Sequence, residues 1–346
     1  MRKIRLGRTG IMATRLGFGG IPIQTVNREQ AVATVRYCYE KGINFYDTAQ
    51  AYTVSEGILG EALEGAREDV FIATKSGGRE VPTVEKHLVS SLEALRTDYI
   101  DLYQLHNVVG DEALAKATAP GGVLDYLKEK QREGVIRHIG ITSHRLETIL
   151  KALKTNEFAT IQFPFNYIEN DAGRELFPLA RQMDVGVLVM KPIAGGAMTH
   201  PAACIKWILE QDADVIIPGM ESPHLVDANW EAAMAGAPTP EDLANLKAIA
   251  DELGPVFCRR CGYCLPCPSG IPVNFIASAE LFFNRSGWHK LNTNHVEGFL
   301  KGVDCIGCAE CEKRCPYELP LTRIVPENSA RLLQKARELG VIPDQN

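Results

Sequence analysis

Residues 70–106 read VFIATKSGGREVPTVEKHLVSSLEALRTDYIDLYQLH. The stretch opens on an apolar, β-branched run (VFIATK, 70–75) and passes a Gly-Gly turn. It continues through Val84, Leu88, Leu92 and Leu95, which return to one face at the helical period of 3.6. It closes on a second apolar run, IDLYQLH (100–106). Strand, helix and strand in that order form a crossover unit, the connection that parallel strands require.

Working outward, the same rhythm recurs. Strand candidates RLGFG (15–19) and INFYD (43–47) precede this unit; IRHIGITS (136–143), ATIQF (159–163), VGVLVMK (185–191) and DVIIPG (214–219) follow it. Eight strands, each followed by a helical pattern, predict a (β/α)8 TIM barrel over residues 1–235, because closing the sheet removes its edges. A doubly wound open sheet is the alternative, but no G-x-G-x-x-G follows the first strand. Gly42, Gly134 and Gly186 are expected to cap helix ends, where a left-handed residue favours glycine. GAPTPED (236–242) reads as a hinge into a helix ending near Gly254, so 236–254 is expected to be a linker and helix. Residues 255–346 are then a small, mainly helical domain around Phe275, Leu281, Phe282, Phe283, Trp288 and Phe299, with a C-terminal helix.

That last segment holds eight of the 10 cysteines in the 346-residue chain. CRRCGYCLPCP supplies Cys258, Cys261, Cys264 and Cys267; CIGCAECEKRCP supplies Cys305, Cys308, Cys311 and Cys315. Disulfides suit a chain exported to an oxidising compartment, and zinc usually takes two separated Cys pairs. The second run instead has the C-x2-C-x2-C-x3-C-P spacing of two-cluster ferredoxins, whose fourth Cys ligates the other cluster. Two [4Fe-4S] clusters are expected, with crossed ligation: Cys258, Cys261, Cys264 and Cys315 on one, Cys305, Cys308, Cys311 and Cys267 on the other. The first run departs by one residue before its last Cys. Cys38 and Cys204 fall on the apolar side of helical patterns and read as packing residues.

Barrel chemistry sits at the C-terminal ends of strands. Asp47 ends INFYD, Tyr52 lies on the next loop, Lys75 ends FIATK and His106 ends YQLH. A phenol titrates near about 10, too high for acid–base work at neutral pH; an adjacent ammonium fixed by a carboxylate favours the phenolate. Tyr52 is therefore a candidate general acid, Lys75 and Asp47 its tuning pair, and His106 a donor that orients a substrate carbonyl. The set supplies no hydride, so a cofactor must.

In order, GRTGIMATRLGFGG, INFYDTAQAY, ATKSG, IDLYQLH, GITSH and IIPG resemble the aldo-keto reductases over about residues 1–235. The cysteine segment resembles the ferredoxin-like extension of one bacterial and archaeal branch of that family. The resemblance implies NAD(P)H lying across the barrel mouth without a Rossmann fold, and hydride transfer to an aldehyde or ketone, or the reverse from an alcohol. It implies that Ser143, His144 and Gln162 hold the nicotinamide carboxamide, with His144 standing where many members have Asn. Met190 replaces a tyrosine that stacks on the nicotinamide. Gly19 joins the cofactor site, and Gly219, Ser222 and Asn229 match the segment gripping the adenosine end. Members preferring NADPH place Lys and Arg where this chain has Gly219 and Leu225, which removes the usual charged partners of a 2′-phosphate.

The net charge of −6, from 37 Lys+Arg against 43 Asp+Glu, gives no electrostatic case for nucleic acid or an anionic membrane. The opening MRKIRLGRTGIM lacks a signal-peptide core and no run approaches the ~18 apolar residues of a spanning helix, so a soluble, cytoplasmic protein is expected. A different class of function is an electron-transfer protein whose clusters relay single electrons to or from a partner redox protein. A third reading makes the clusters purely structural. The insertion NVVGDEALAKATAPGG after His106 carries no recognisable substrate chemistry, and the substrate is a small carbonyl or alcohol of unspecified identity.

Overall fold

The computed structural model describes residues 1–343 and divides into two compact units, Met1–Leu246 and the part beginning at Lys247. The first is a closed parallel barrel. Its strands are β3 (Phe18–Gly19), β4 (Phe45–Asp47), β5 (Phe71–Ser76), β6 (Ile100–Leu105), β7 (Ile136–Thr142), β8 (Thr160–Pro164), β9 (Gly186–Met190) and β10 (Val215–Ile217). Each pairs in parallel with the next. Parallel bridges Leu16–Ile216 and Gly19–Gly219 join the last strand to the first. These are the eight strands expected from the sequence. All six residues of β6 are buried, as a strand covered on both faces requires.

Around the barrel run α1 (Arg28–Glu40), α2 (Ser55–Ala62), α3 (Val81–Leu95), α4 (Asp111–Thr118), α5 (Val123–Arg132), α6 (Leu146–Lys154), α7 (Ala172–Gln182), α8 (Pro201–Leu209) and α9 (Pro223–Met234). The Asn27 side chain starts α1 by accepting from the Gln30 amide at 2.8 Å, satisfying an otherwise orphaned donor. On α3, Val84, Leu88 and Leu95 lie on the buried stripe as the sequence period predicts, but its fourth place is taken by Ser91, and Leu92 is only half-buried. Cys38 and Cys204 are buried packing residues.

Two features correct the reading of the sequence. A short antiparallel hairpin, β1 (Lys3–Arg5) and β2 (Met12–Thr14), precedes the barrel. It brings Leu6, Ile11 and Ala13 onto the interior layer of Phe45, Ala73, Leu102, Leu188 and Val215, so it plugs the barrel's N-terminal end. Gly186 is not a helix cap: Asp184 takes the left-handed conformation, and Gly186 opens β9, where a Cβ would lie 2.7 Å from the Leu6 side chain. Its glycine answers to close packing against the plug. Gly42 and Gly134 do have the positive φ expected of caps.

Helix α10 (Pro240–Leu253) contains the division between the units. The second unit comprises α11 (Val273–Ile276), α12 (Ala279–Ser286), α13 (Thr293–Val303), α14 (Glu310–Lys313) and α15 (Leu321–Glu338). Its core gathers Ile276, Phe283, Phe299, Val325 and Leu333, with Phe275 stacked on Phe299 at 6.2 Å. Helices α13 and α15 approach so closely that a Cβ on Gly302 would lie 2.1 Å from Ser329 Oγ. Among the described residues no helix is long and apolar enough to cross a membrane.

Candidate functional site

Four of the sequence-predicted residues meet at the C-terminal mouth of the barrel. Asp47 ends β4 and Lys75 lies one residue before the end of the neighbouring β5, so their side chains converge. Lys75 Nζ donates to Asp47 Oδ2 at 2.7 Å and to the Thr48 carbonyl at 2.6 Å, both groups almost fully buried. Burial pushes the Asp47 carboxyl up, and the Lys75 ammonium pulls against that shift. The same ammonium stands 5.2 Å from the centre of the Tyr52 ring, and the His106 ring meets Tyr52 edge-on at 5.9 Å. His106 follows directly on β6, with its amide bonded to the Ser76 carbonyl. Burial first, then the charges of Lys75 and Arg79, push its imidazole down to about 3, so the ring is neutral at ordinary pH.

Below the tetrad lies a residue the sequence reading passed over. Gln104, two positions before His106 and therefore on the same side of β6, donates to Gln162 Oε1 at 2.8 Å. Gln104 Oε1 and Asp47 Oδ1 are buried acceptors with no hydrogen-bond donor among the described residues. The barrel floor is thus an amide and carboxylate layer with acceptors in reserve.

The residues expected to hold a nicotinamide cofactor ring the same mouth. Ser143 and His144 follow β7, Gln162 lies on β8, and Met190 ends β9. The Ser143 hydroxyl donates to the Val108 carbonyl at 2.6 Å and accepts from the Arg145 amide. One lone pair remains for an incoming donor, which fits the amino group of a carboxamide. His144 Nδ1 lies 3.2 Å from Lys191 Nζ, so it serves as acceptor and its other nitrogen carries the proton. At the seam, Gly19 and Gly219 allow β3 and β10 to close: a Cβ on Gly19 would lie 2.7 Å from the Ile217 carbonyl, and one on Gly219 2.4 Å from Pro22. Ser222 caps α9 through the Leu225 amide, and Asn229 is buried on that helix.

The barrel sequence matches the aldo/keto reductase family over residues 15–202. This chain belongs to the aldo-keto reductases. An L-galactose dehydrogenase of Arabidopsis thaliana is 32% identical over 226 residues, covering 57% of this chain and 69% of that protein. An oxidoreductase of Bacillus subtilis, YqkF, is 30% identical over 214 residues, covering 58% and 67%. Among solved structures, the holo form of aldo-keto reductase AKR11C1 from Bacillus halodurans superimposes with a TM-score of 0.64 at 26% identity, covering 72% of this chain and 96% of that one. The family is thus joined here to a second module, because residues 257–319 match a 4Fe-4S dicluster domain.

Within the second unit the cysteines sort by position. Cys267 of the first run lines one small pocket together with Cys305, Cys308 and Cys311 of the second, beside Ile271, Val273, Leu321 and Val325. Cys258, Cys261 and Cys264 form the other group: burial, then the neighbouring Cys258 and Cys261, push the Cys264 thiol up to about 12. Thiols crowded in this way ionise readily only when a metal supplies positive charge. Arg314 bonds the carbonyls of Cys264 and Pro266 at 3.0 and 2.8 Å, laying the segment that ends in Cys315 against the first run. Among the described residues no three His, Cys, Asp or Glu side chains close on a point as one ion requires. Eight cysteines gathered in one small unit, four of them around a single pocket, are a donor set that fits iron–sulfur clusters.

Proposed function

We propose that this protein is an oxidoreductase that interconverts a small aldehyde or ketone and its alcohol, with NAD(P)H as hydride source. The observation that carries this reading is the buried Lys75–Asp47 pair set against the Tyr52 ring, with His106 at its edge. A bound dihydronicotinamide supplies hydride to the carbonyl carbon. His106, neutral, donates a hydrogen bond to the carbonyl oxygen and fixes its orientation. Tyr52 gives its proton to that oxygen as negative charge develops there, and the Lys75 ammonium stabilises the phenolate left behind. Asp47 holds the ammonium in place.

Gln162, the free lone pair of Ser143 and the His144–Lys191 pair support a nicotinamide dinucleotide along the rim. Gly219 and Leu225 offer no cation to a 2′-phosphate. With no charged partner there for a 2′-phosphate, NADH is the expected coenzyme. Tyr52→Phe should lower turnover on a panel of aldehydes and ketones by at least about a hundredfold, with NADH binding unchanged. Unaltered turnover in this variant would remove the tetrad from the chemistry, and tighter binding of NADPH than NADH would reverse the coenzyme assignment.

For the second unit, the two thiolate groups support a pair of [4Fe-4S] clusters, which carry single electrons. Cys308 is exposed and Ile306 beside it is 72% exposed, so one group reaches the surface where a partner redox protein could approach. Anaerobic rapid mixing with NADH, following the visible absorbance of the clusters, tests whether any electrons pass without such a partner.

A further inference from the structure

Arg79 lies on the turn between β5 and α3, and its guanidinium makes an unusual set of contacts. Nη1 donates to the carbonyls of Gly77 and Gly78, each at 3.1 Å. Nη2 donates to the carbonyls of His106 at 2.8 Å and Asn107 at 3.1 Å. No carboxylate lies within ion-pair distance of Arg79 among the described residues, unlike Arg67 and Lys206, which pair with Asp101 and Asp242. The guanidinium is thus half-buried, fully engaged with backbone and uncompensated in charge.

The His106 ring needs what this clamp provides. No side chain of the described residues hydrogen-bonds its nitrogens, so its direction depends on the backbone that carries it. That backbone turns sharply, with Asn107 at φ +51°, in the left-handed region that asparagine enters more readily than most side chains. Three ties hold the turn: the Ser76 carbonyl on the His106 amide, Thr142 Oγ1 on the Asn107 amide at 2.7 Å, and Arg79 on both carbonyls. The charged and titratable groups around the ring are Lys75 from β5, with Asp47 of β4 behind it, Tyr52 from the loop after β4, and Arg79.

We propose that Arg79 is a positioning residue for the reductase chemistry: its guanidinium clamps the carbonyls of His106 and Asn107, and so fixes the turn that aims the imidazole at a substrate carbonyl. The proposal rests on His106 as the carbonyl-orienting group. It assigns Arg79 no contact with substrate, because both terminal nitrogens are already committed to carbonyls.

The test uses the full-length holoprotein with imidazole-labelled histidine, following ring nitrogens by NMR against pH, with H106Q for assignment. In Arg79→Met the His106 titration should move up, since one of the charges that lower it is gone. Its kcat should fall by about tenfold or more while the KM for NADH stays within about twofold. Arg79→Lys restores the charge without the fork, so the His106 titration should return toward that of wild type while kcat recovers only in part. A methionine variant with unchanged His106 titration and unchanged kcat overturns the proposal. So does one that loses only melting temperature, which would make Arg79 structural. If Arg79→Met does not fold, Arg79→Gln decides by the same readings. A wild type inert toward every carbonyl would defeat the proposed reaction instead, and the NMR titration would still decide whether Arg79 governs His106.

Discussion

Lys75 is an ammonium with almost no exposure, and among the described residues Asp47 is the one carboxylate within ion-pair distance of it. The two partners are unequal when one is removed. Asp47→Asn leaves a buried cation, which costs about 3–5 kcal/mol. Lys75→Met leaves a carboxyl that burial already pushes toward its neutral form, so it can take up a proton and lose less. Urea unfolding should rank Asp47→Asn below Lys75→Met in stability, with both inactive. His106 gives a second expectation. Its folded pKa, about 3, lies below the unfolded value near 6.5, so the unfolded chain binds the proton first. Its contribution to stability is whole above that unfolded value and is lost as pH falls toward about 3. His106→Gln should flatten the decline in unfolding free energy between about pH 7 and pH 5 relative to wild type. Asp47, Lys75 and His106 were legible because each punctuates the end of an apolar run with charge. Gln104 was not, since an amide inside such a run looks like any polar neighbour. Arg79 was hidden for a deeper reason: its partners are main-chain carbonyls, which leave no mark on residue identity.

At the scale of elements, the eight barrel strands could be read because strands buried on both faces must be continuously apolar. The hairpin β1–β2 could not: KIR and MAT are three residues each and pair only with each other. Gly186 misled because glycine marks both left-handed caps and close approaches, and only the packed Leu6 side chain distinguishes them. In the second unit, spacing gave the number of thiolates, while the shared pocket of Cys267 with Cys305, Cys308 and Cys311 bears on how they group. Crossed ligation makes a specific expectation. Cys267→Ser should alter the cluster nucleated by the later run, and Cys315→Ser the one nucleated by the earlier run. Low-temperature EPR of each reduced variant, with iron analysis, checks it; uncrossed changes would reassign the fourth ligands.

Taken whole, the chain joins two units that owe their stability to different things. The barrel buries a large apolar shell between strands and helices, whereas the second unit has a modest core and eight cysteines. Small domains of this kind commonly draw folding energy from metal. Stripping iron under anaerobic conditions should remove or lower one calorimetric transition and leave the other near its original temperature. Two unchanged transitions would show that the metal adds nothing to stability. The hairpin beneath the barrel has a consequence of its own. With Leu6, Ile11 and Ala13 packed into one end, the barrel is stoppered there, and the opposite rim, where Lys75 and His106 stand, is the end left for a visitor to enter and leave by.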